Sequence, residues 1–507
     1  MPAAIEPPGS DVHDRGPLPG NGNAWAHPEE AGMSHHPFLE LDQQFEEWTT
    51  NGETPGLAYA VLKDGRLVRA RAFGVIETDS KRPWRFDTIC RLYSMTKTVA
   101  VCGLMCLVED GAVHLDDLLS KYIPAFEQER LEVVQEETDT SSSSVCEKPK
   151  TAISLRHLLT HTSGLMYGAA VGLEPANEAE ESYEPLIKKV DDNEVLDLEQ
   201  WCNELAKIPL QFQPGDHWEY SYGLDLIGRV IEIASKQKLD DFLQERIIQP
   251  LGLVDTGFSV PEAKHHRLAA FYRRGDADAL HEVDGIAASV FVHPRHQRIL
   301  SAGGMLGRVS GGLVSTLNDF VRLCLMLQGG GELDGVRILT PETVERMSVN
   351  LLPDDAWCLN ATGLGFCLLG SVAVPHEDAH WRDVPGEIGW GGLAGTAWAV
   401  DYHDKLVVVS FCQVMYELVI DEQLREAVRK SMGQFKEDAV GNLLCVDAEG
   451  KRVASSQACL HSWSIASLEE TDVTPPASKR LRSSSPMRQC LIDSEPKEVK
   501  EAVEVGA

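Results

Sequence analysis

Ser94-Met95-Thr96-Lys97 sets a hydroxyl and an amine three residues apart. On a helix that spacing puts both on one face with their side chains adjacent. An amine held out of water gives up its proton more readily than a surface lysine, so a desolvated Lys97 can help deprotonate Ser94 and make it a nucleophile. The run from Thr98 to Val108 is apolar nearly all round, the pattern of a buried helix, and would supply that setting. A second block, Tyr220-Ser221-Tyr222, adds a phenol. As phenolate, Tyr220 can take the serine proton, but an ordinary pKa of about 10 means it needs a neighbouring cation, for which Lys97 is the candidate. A third block, Trp390-Gly391-Gly392, brings glycines that let a substrate come close to a strand edge. There an unpaired backbone N–H can donate to an oxyanion, and the amides of Ser94 and Leu393 are the expected donors. The chemistry implied is covalent catalysis through an acyl-serine.

Each block has a plainer reading when taken alone. Ser235 to Lys238 and Ser494 to Lys497 repeat the Ser-x-x-Lys spacing, the first where an amphipathic helix runs out into charges and the second in a polar tail. Ser94 could be a helix N-cap followed by a solvated lysine. Tyr220 could be a core aromatic, and the glycines a turn with no ligand. What separates Ser94 from the other matches is a turn before it, a buried helix after it, and two further blocks in the order the chemistry requires.

The elements that must position these blocks can be sketched from the pattern. Residues 57–62 and 66–73 flank Lys63-Asp64-Gly65 as a hairpin, and a second hairpin occupies the region of residues 396–412. Between them lie mostly helical patterns, and Tyr220 falls between the Pro214-Gly215 turn and a helix start. The expected fold is therefore α+β: an antiparallel sheet built from both chain ends and flanked by helices, with a mainly helical lobe, roughly residues 99–290, inserted. The three blocks then converge at the lobe interface. The acidic and serine-rich stretches at 128–150 and 174–192 are expected to be solvated surface loops. Residues 1–27, rich in proline and glycine, are expected to be disordered, residues 28–433 to form the catalytic domain, and residues 434–507 to be an extension, largely disordered from about 469.

The three blocks, with connecting stretches such as Leu158-Leu159-Thr160-His161-Thr162-Ser163-Gly164-Leu165 and Ser310-Gly311-Gly312-Leu313-Val314-Ser315-Thr316, resemble the serine β-lactamase and penicillin-binding-protein superfamily. The similarity covers roughly residues 28–433 and is closest to class C β-lactamases and family VIII carboxylesterases. It implies a β-lactamase/transpeptidase-like fold, Ser94 as nucleophile, Lys97 and Tyr220 as the base pair, and the Leu393 N–H as an oxyanion donor. His161 belongs to a structural loop in that family and is not expected to be catalytic. Two departures separate this chain from the lactamase pattern. Tyr222 stands where that family usually has asparagine, and Trp390 and Gly391 stand where it has a lysine or histidine and then threonine or serine. An indole offers an apolar face and one N–H donor but no cation, so an anionic β-lactam loses a charge-assisted contact worth about 1.5–3 kcal/mol while a neutral ester loses nothing. Trp-Gly-Gly is also what family VIII esterases resemble here. Tyr222, Trp390, Gly391 and Gly392 are accordingly expected to border the substrate. The expected activity is hydrolysis of short- to medium-chain esters through an acyl-Ser94 intermediate. An acyltransferase or weak β-lactamase on the same fold is the alternative, and a non-catalytic binding or assembly protein the second.

Composition narrows the partners. The chain has 507 residues, 43% of them hydrophobic, and a net charge of −32, which disfavours nucleic acid and anionic membrane. No Gly-x-Ser-x-Gly elbow, dinucleotide or phosphate loop, or His-Glu-x-x-His is present, so neither cofactor nor metal is expected. Histidines at 35–36, 265–266, 293 and 296 are expected to be exposed loop residues. Twelve scattered cysteines and an N-terminus without a basic start or apolar stretch suggest reduced thiols in the cytoplasm. A basic cluster from Lys479 to Arg482 offers a nuclear address as the alternative. The expected partner is a small-molecule ester; the sequence does not set the oligomeric state.

Overall fold

A computed structural model describes residues 25–135, 146–168, 175, 177–275, 279–283, 299–306, 310–353, 356–375, 384–433, 435–437 and 443–445. The Lys479 to Arg482 cluster, the histidines at 293 and 296, and the segments expected to be disordered lie outside these residues, apart from residues 25–27, 435–437 and 443–445. Strands β1 (Gly56–Lys63) and β2 (Arg66–Gly74) form the first hairpin. Lys63 pairs with Arg66, so only Asp64 and Gly65 make the turn, both at positive φ as a tight right-twisted hairpin turn demands. Late in the chain come β3 (Leu364–Phe366), β4 (Ser371–Ala373), β5 (Ile388–Gly392), β6 (Thr396–Asp401) and β7 (Leu406–Cys412). They join the first pair in one seven-stranded sheet of order β3-β4-β5-β6-β7-β1-β2. The seam between the chain ends is the antiparallel β1–β7 pair, with Ala58 opposite Phe411 and Ala60 opposite Val409.

Both faces of the sheet are covered, which is why β7 is buried along its whole length. Leu57, Tyr59, Val61, Ala399 and Val408 pack under α1 (His36–Thr50) and, at the far end of the chain, a helix spanning Val419–Ser431. On the opposite face Ala58, Ala60, Leu62, Trp398, Val407 and Phe411 meet the main core. That core contains α2 (Thr96–Glu109), whose residues from Thr96 to Leu107 are all buried. Gly103 allows its neighbour to approach, since a Cβ there would lie 2.6 Å from Leu243 Cδ2. The inserted region continues through α3 (Glu184–Asp191), α4 (Leu198–Leu205), α5 (Gly223–Ser235) and α6 (Leu317–Gln328), and the Val419–Ser431 helix is α7.

The two stretches expected to be solvated loops contain regular structure where they are described, residues 136–145, 174 and 176 lying outside the described residues. In 174–192 the acidic residues decorate short helices whose other side is apolar: Leu186, Ile187 and Val190 of α3 are buried, and the fully buried Tyr183 accepts a hydrogen bond from Met166 N at 2.8 Å through its hydroxyl. In 128–150 Val133–Val134 pairs with Cys146–Glu147, and Gln213 Nε2 donates to Glu147 at 2.7 Å. High charge hid a helix with three anchoring side chains in the first case and a two-residue ladder in the second.

Candidate active site

The chain reaches α2 from Cys90–Arg91, which pairs with Val314–Ser315, through a single 3-10 turn at Tyr93–Met95. Ser94 sits on that turn, partly exposed. Tyr93 has a φ of +45°, a strained value for a side chain of that size, and its ring is held against Phe271 with centroids 5.5 Å apart. Leu92 N donates to Leu313 O at 3.0 Å and Leu313 N to Thr96 Oγ1 at 2.9 Å, which ties the turn to the Ser310–Leu313 stretch. Two glycines press on the same turn. A Cβ at Gly304, where φ is +94°, would lie 2.2 Å from Tyr93 O and 2.8 Å from Ser94 N. One at Gly392 would lie 2.2 Å from Leu92 O. Gly392 thus makes room for the backbone beside the serine.

One helical turn on, Lys97 is buried, and its Nζ donates to Ser94 Oγ at 3.4 Å, to Tyr167 OH at 3.1 Å and to the Gly303 carbonyl. It also lies 4.5 Å from the centroid of the Tyr220 ring. The N–H of the same residue, Gly303, donates to Asp225 Oδ1 at 2.9 Å, and Ser301 Oγ donates to that oxygen at 2.7 Å. Gly303 has no space for a side chain, since a Cβ would meet Asp225 Oδ2 at 2.2 Å. Asp225 and Lys97 are therefore linked through the backbone of one residue, Gly303, by its N–H and its carbonyl respectively. Burial pushes the Lys97 ammonium well below the usual lysine range, with Asp225 pulling the other way. Burial likewise pushes the Asp225 carboxyl up, against the hydrogen bonds from Ser301 and Gly303.

Tyr220 accepts from Trp390 Nε1 at 3.2 Å through its hydroxyl. Its ring packs against His161, Tyr167 and Trp390 at centroid distances of 4.7, 5.2 and 5.4 Å. Burial raises the Tyr220 pKa far above that of a free phenol, and Ser94 and Trp390 only partly oppose it. Burial thus opposes the expected phenolate. His161 shares a hydrogen bond with Ser221 Oγ at 3.0 Å through Nδ1, and burial keeps it neutral.

Trp390, on β5 opposite Trp398, sets its ring edge-on to Phe366 at 5.3 Å. Gly391 is buried next to it, paired with Ala397. Leu393 follows the strand; its carbonyl accepts from Tyr416 N at 2.8 Å, while among the described residues its own N–H donates no backbone hydrogen bond. Tyr222 does not border an open cleft. At 3% exposure it lies among Tyr167, Tyr183 and Trp201, with ring centroids 4.3, 5.8 and 5.2 Å away, because it begins α5, whose first residues all turn into the core.

Ser94, Lys97, Tyr220 and Trp390 are thus brought together, and Tyr222 forms the wall behind Tyr167. Sequence reasoning missed Tyr167, Asp225 and the Gly303-Gly304 pair. Asp225 had a signal, a lone carboxylate inside the apolar run Leu224-Asp225-Leu226-Ile227. Tyr167 had none beyond following the Thr160–Leu165 stretch.

The family model described as Beta-lactamase matches residues 41–431. The chain belongs to the β-lactamase family. Among curated proteins it is 30% identical over 399 residues to Protein Rv1367c of Mycobacterium tuberculosis (strain ATCC 25618 / H37Rv), covering 76% of this chain and 92% of that one. It is 28% identical over 389 residues to Esterase EstB of Burkholderia gladioli, covering 74% and 90%. Among solved structures it is similar to EstCE1, described as a hydrolase with promiscuous acyltransferase activity. The TM-score is 0.63 at 25% identity, covering 78% of this chain and 98% of that one. This β-lactamase family member is a serine hydrolase on the β-lactamase/transpeptidase-like fold. Among the described residues no helix is long and apolar enough to cross a membrane.

Proposed function

We propose that this protein is a carboxylesterase that hydrolyses small neutral esters of short- to medium-chain acids through an acyl-Ser94 intermediate. The observation that carries the reading is a buried Lys97 amine 3.4 Å from Ser94 Oγ, beside a Tyr220 whose hydroxyl is held by the Trp390 indole rather than by a cation. Neutral Lys97 takes the Ser94 proton as Oγ attacks the ester carbonyl carbon. The amides of Ser94 and Leu393 receive the oxyanion. As the C–O bond to the alcohol breaks, Tyr220 gives its proton to the leaving oxygen and regains one from the Lys97 ammonium. In the second half a water attacks the acyl carbon, loses its proton to the same pair, and the acid departs as Ser94 recovers its hydrogen.

With an indole where a lactam-binding cation would stand, a β-lactam carboxylate lacks a contact worth about 1.5–3 kcal/mol, or roughly 10- to 100-fold in rate. Acyl transfer to an alcohol is the second reading, since the same acyl-serine serves both and EstCE1 is described as having promiscuous acyltransferase activity. The presence of Ser94, Lys97 and Tyr220 in contact supports catalysis over a binding or assembly role.

The test sets the purified protein and Ser94→Ala against p-nitrophenyl butyrate and a chromogenic cephalosporin, with mass spectrometry of the serine labelled by an alkyl phosphonate. Ester turnover that depends on Ser94, a label on Ser94, and cephalosporin turnover at least tenfold slower are expected. Equal ester rates in both proteins would overturn the assignment. Added butanol, with product analysis, separates hydrolysis from transfer.

A further inference from the structure

Beside the serine lies an apolar cluster separate from the two large cores. Tyr93, Phe271 and Ala394 are its buried floor, and Met305, Leu393, Met415 and Val283 are partly exposed above it. At least five separate parts of the chain converge there. Tyr93 directly precedes Ser94, and Met305 follows Gly304, whose α-carbon abuts the Tyr93–Ser94 peptide. Leu393 and Ala394 end the Trp390-Gly391-Gly392 strand, and the Val414–Tyr416 turn is bonded to them by Val414 N to Ala394 O at 3.1 Å and Tyr416 N to Leu393 O at 2.8 Å. The turn is in turn fixed to the Phe271–Tyr272 segment by Met415 N to Tyr272 O at 2.8 Å. Its partly buried rim adjoins both proposed oxyanion donors, the amides of Ser94 and Leu393.

An ester bound for attack has three directions to fill. Its carbonyl oxygen goes to the amides of Ser94 and Leu393, and its alcohol oxygen goes to Tyr220 and Lys97, on the Trp390 side. The remaining substituent of the carbonyl carbon is the acyl chain, and it is left facing Leu393 and the cluster. We propose that Met305, Leu393 and Met415, over Tyr93 and Phe271, form the acyl subsite, and that it selects unbranched aliphatic chains of several carbons over acetyl. Two methionines on its rim suit that occupant, because an unbranched thioether side chain adapts to a flexible chain without a fixed shape. This inference rests on ester hydrolysis at Ser94 as proposed above and specifies which part of the substrate sets its rate.

The experiment measures kcat/KM for p-nitrophenyl esters from acetate to decanoate with the parent protein, Met305→Trp, Met415→Trp and Met305→Ala, none of which alters a group that handles protons or the oxyanion. In the parent, kcat/KM is expected to rise about three- to fourfold per added methylene from acetate to hexanoate. Either tryptophan, by filling the subsite, is expected to lower hexanoate and longer esters at least tenfold while acetate changes less than twofold. Met305→Ala, a smaller change that serves if a tryptophan variant fails to fold, is expected to move the optimum toward longer chains. Chain-length profiles that stay the same in variants melting like the parent, or a parent profile falling from acetate onward, would overturn the subsite while leaving Ser94-dependent hydrolysis intact. Ester turnover that is absent, or that survives Ser94→Ala, would overturn the catalytic reading and the subsite with it.

Discussion

Lys97 is where burial acts most directly on chemistry. Taking an ammonium out of water is costly, and Lys97 is enclosed by Tyr167, Tyr220 and the Gly303 carbonyl, with Asp225 bonded to the N–H of the same glycine rather than to the amine itself. Its folded pKa lies below the unfolded value of about 10.4, so the unfolded chain binds the extra proton and stability rises with pH between the two values. Lys97→Met should therefore abolish ester turnover, by at least a thousandfold in kcat/KM, while thermal denaturation at neutral pH gives an equal or higher Tm. A fall of several degrees would show that the amine contributes net stability. For the parent, kcat/KM should rise with pH to a plateau as Lys97 loses its proton, with a midpoint well below a free lysine's. Asp225→Asn removes the negative charge that favours the ammonium, so the midpoint should move to lower pH. A merely structural Asp225 would lower the plateau and leave the midpoint in place. Ser94, Lys97 and Tyr220 were legible because each type is chemically conspicuous and sits in a distinctive local pattern. Tyr167 and the Gly303 peptide act through positions that only folding brings near Lys97, and a peptide carbonyl has no signature in a sequence at all.

At the scale of elements, the serine turn is clamped between a strand end and a glycine loop. Gly392 on β5 presses on Leu92 O and Gly304 on the Tyr93–Ser94 peptide, so neither side of the turn can accept a methyl group without moving it. Overpacking of this kind costs about 1–3 kcal/mol. Gly392→Ala should lower stability by that order in urea denaturation and cut kcat at least tenfold with little change in KM, since the displaced groups are Ser94 and the oxyanion amide rather than the substrate's apolar contacts. A variant that melts lower but keeps full kcat would show that the turn is not what the glycine protects. The two hairpins were readable from their turns and alternation, Asp64-Gly65 above all, because two-residue turns fix register locally. The placement of β3 and β4 at the sheet edge was not, as three-residue strands carry too little pattern. α3 was lost behind its lysines and acids, with only Leu186, Ile187 and Val190 to mark its inner face.

For the whole molecule the central question is what holds the end of the chain onto its beginning. β7 closes the sheet against β1, and α7 closes over α1, so residues some 350 positions apart form one core. The lock on α7 is Arg429, 2% exposed, bonded to Glu387 just before β5, to Asp401 at the end of β6 at 3.1 Å and to Asp404 in the following turn at 3.2 Å. Arg425 of the same helix also reaches Glu387, at 2.5 Å. Burial raises the Asp401 pKa and Arg429 opposes that rise, so the arginine favours the charged form of a buried carboxyl. Removing one member of such a pair leaves the other charge buried and costs about 3–5 kcal/mol. Arg429→Met should therefore lower the unfolding free energy in urea by that order with an unchanged m-value, while the rate per folded molecule on a short ester changes less than threefold, because the network lies outside the site. The sign with pH is fixed as well. Without Arg429 the folded Asp401 carboxylate takes up its proton more readily than in the parent, so the stability difference between the two proteins should shrink as pH falls through the carboxylate range. A difference that stayed constant from pH 8 to pH 4 would show that α7 is held by its apolar face alone.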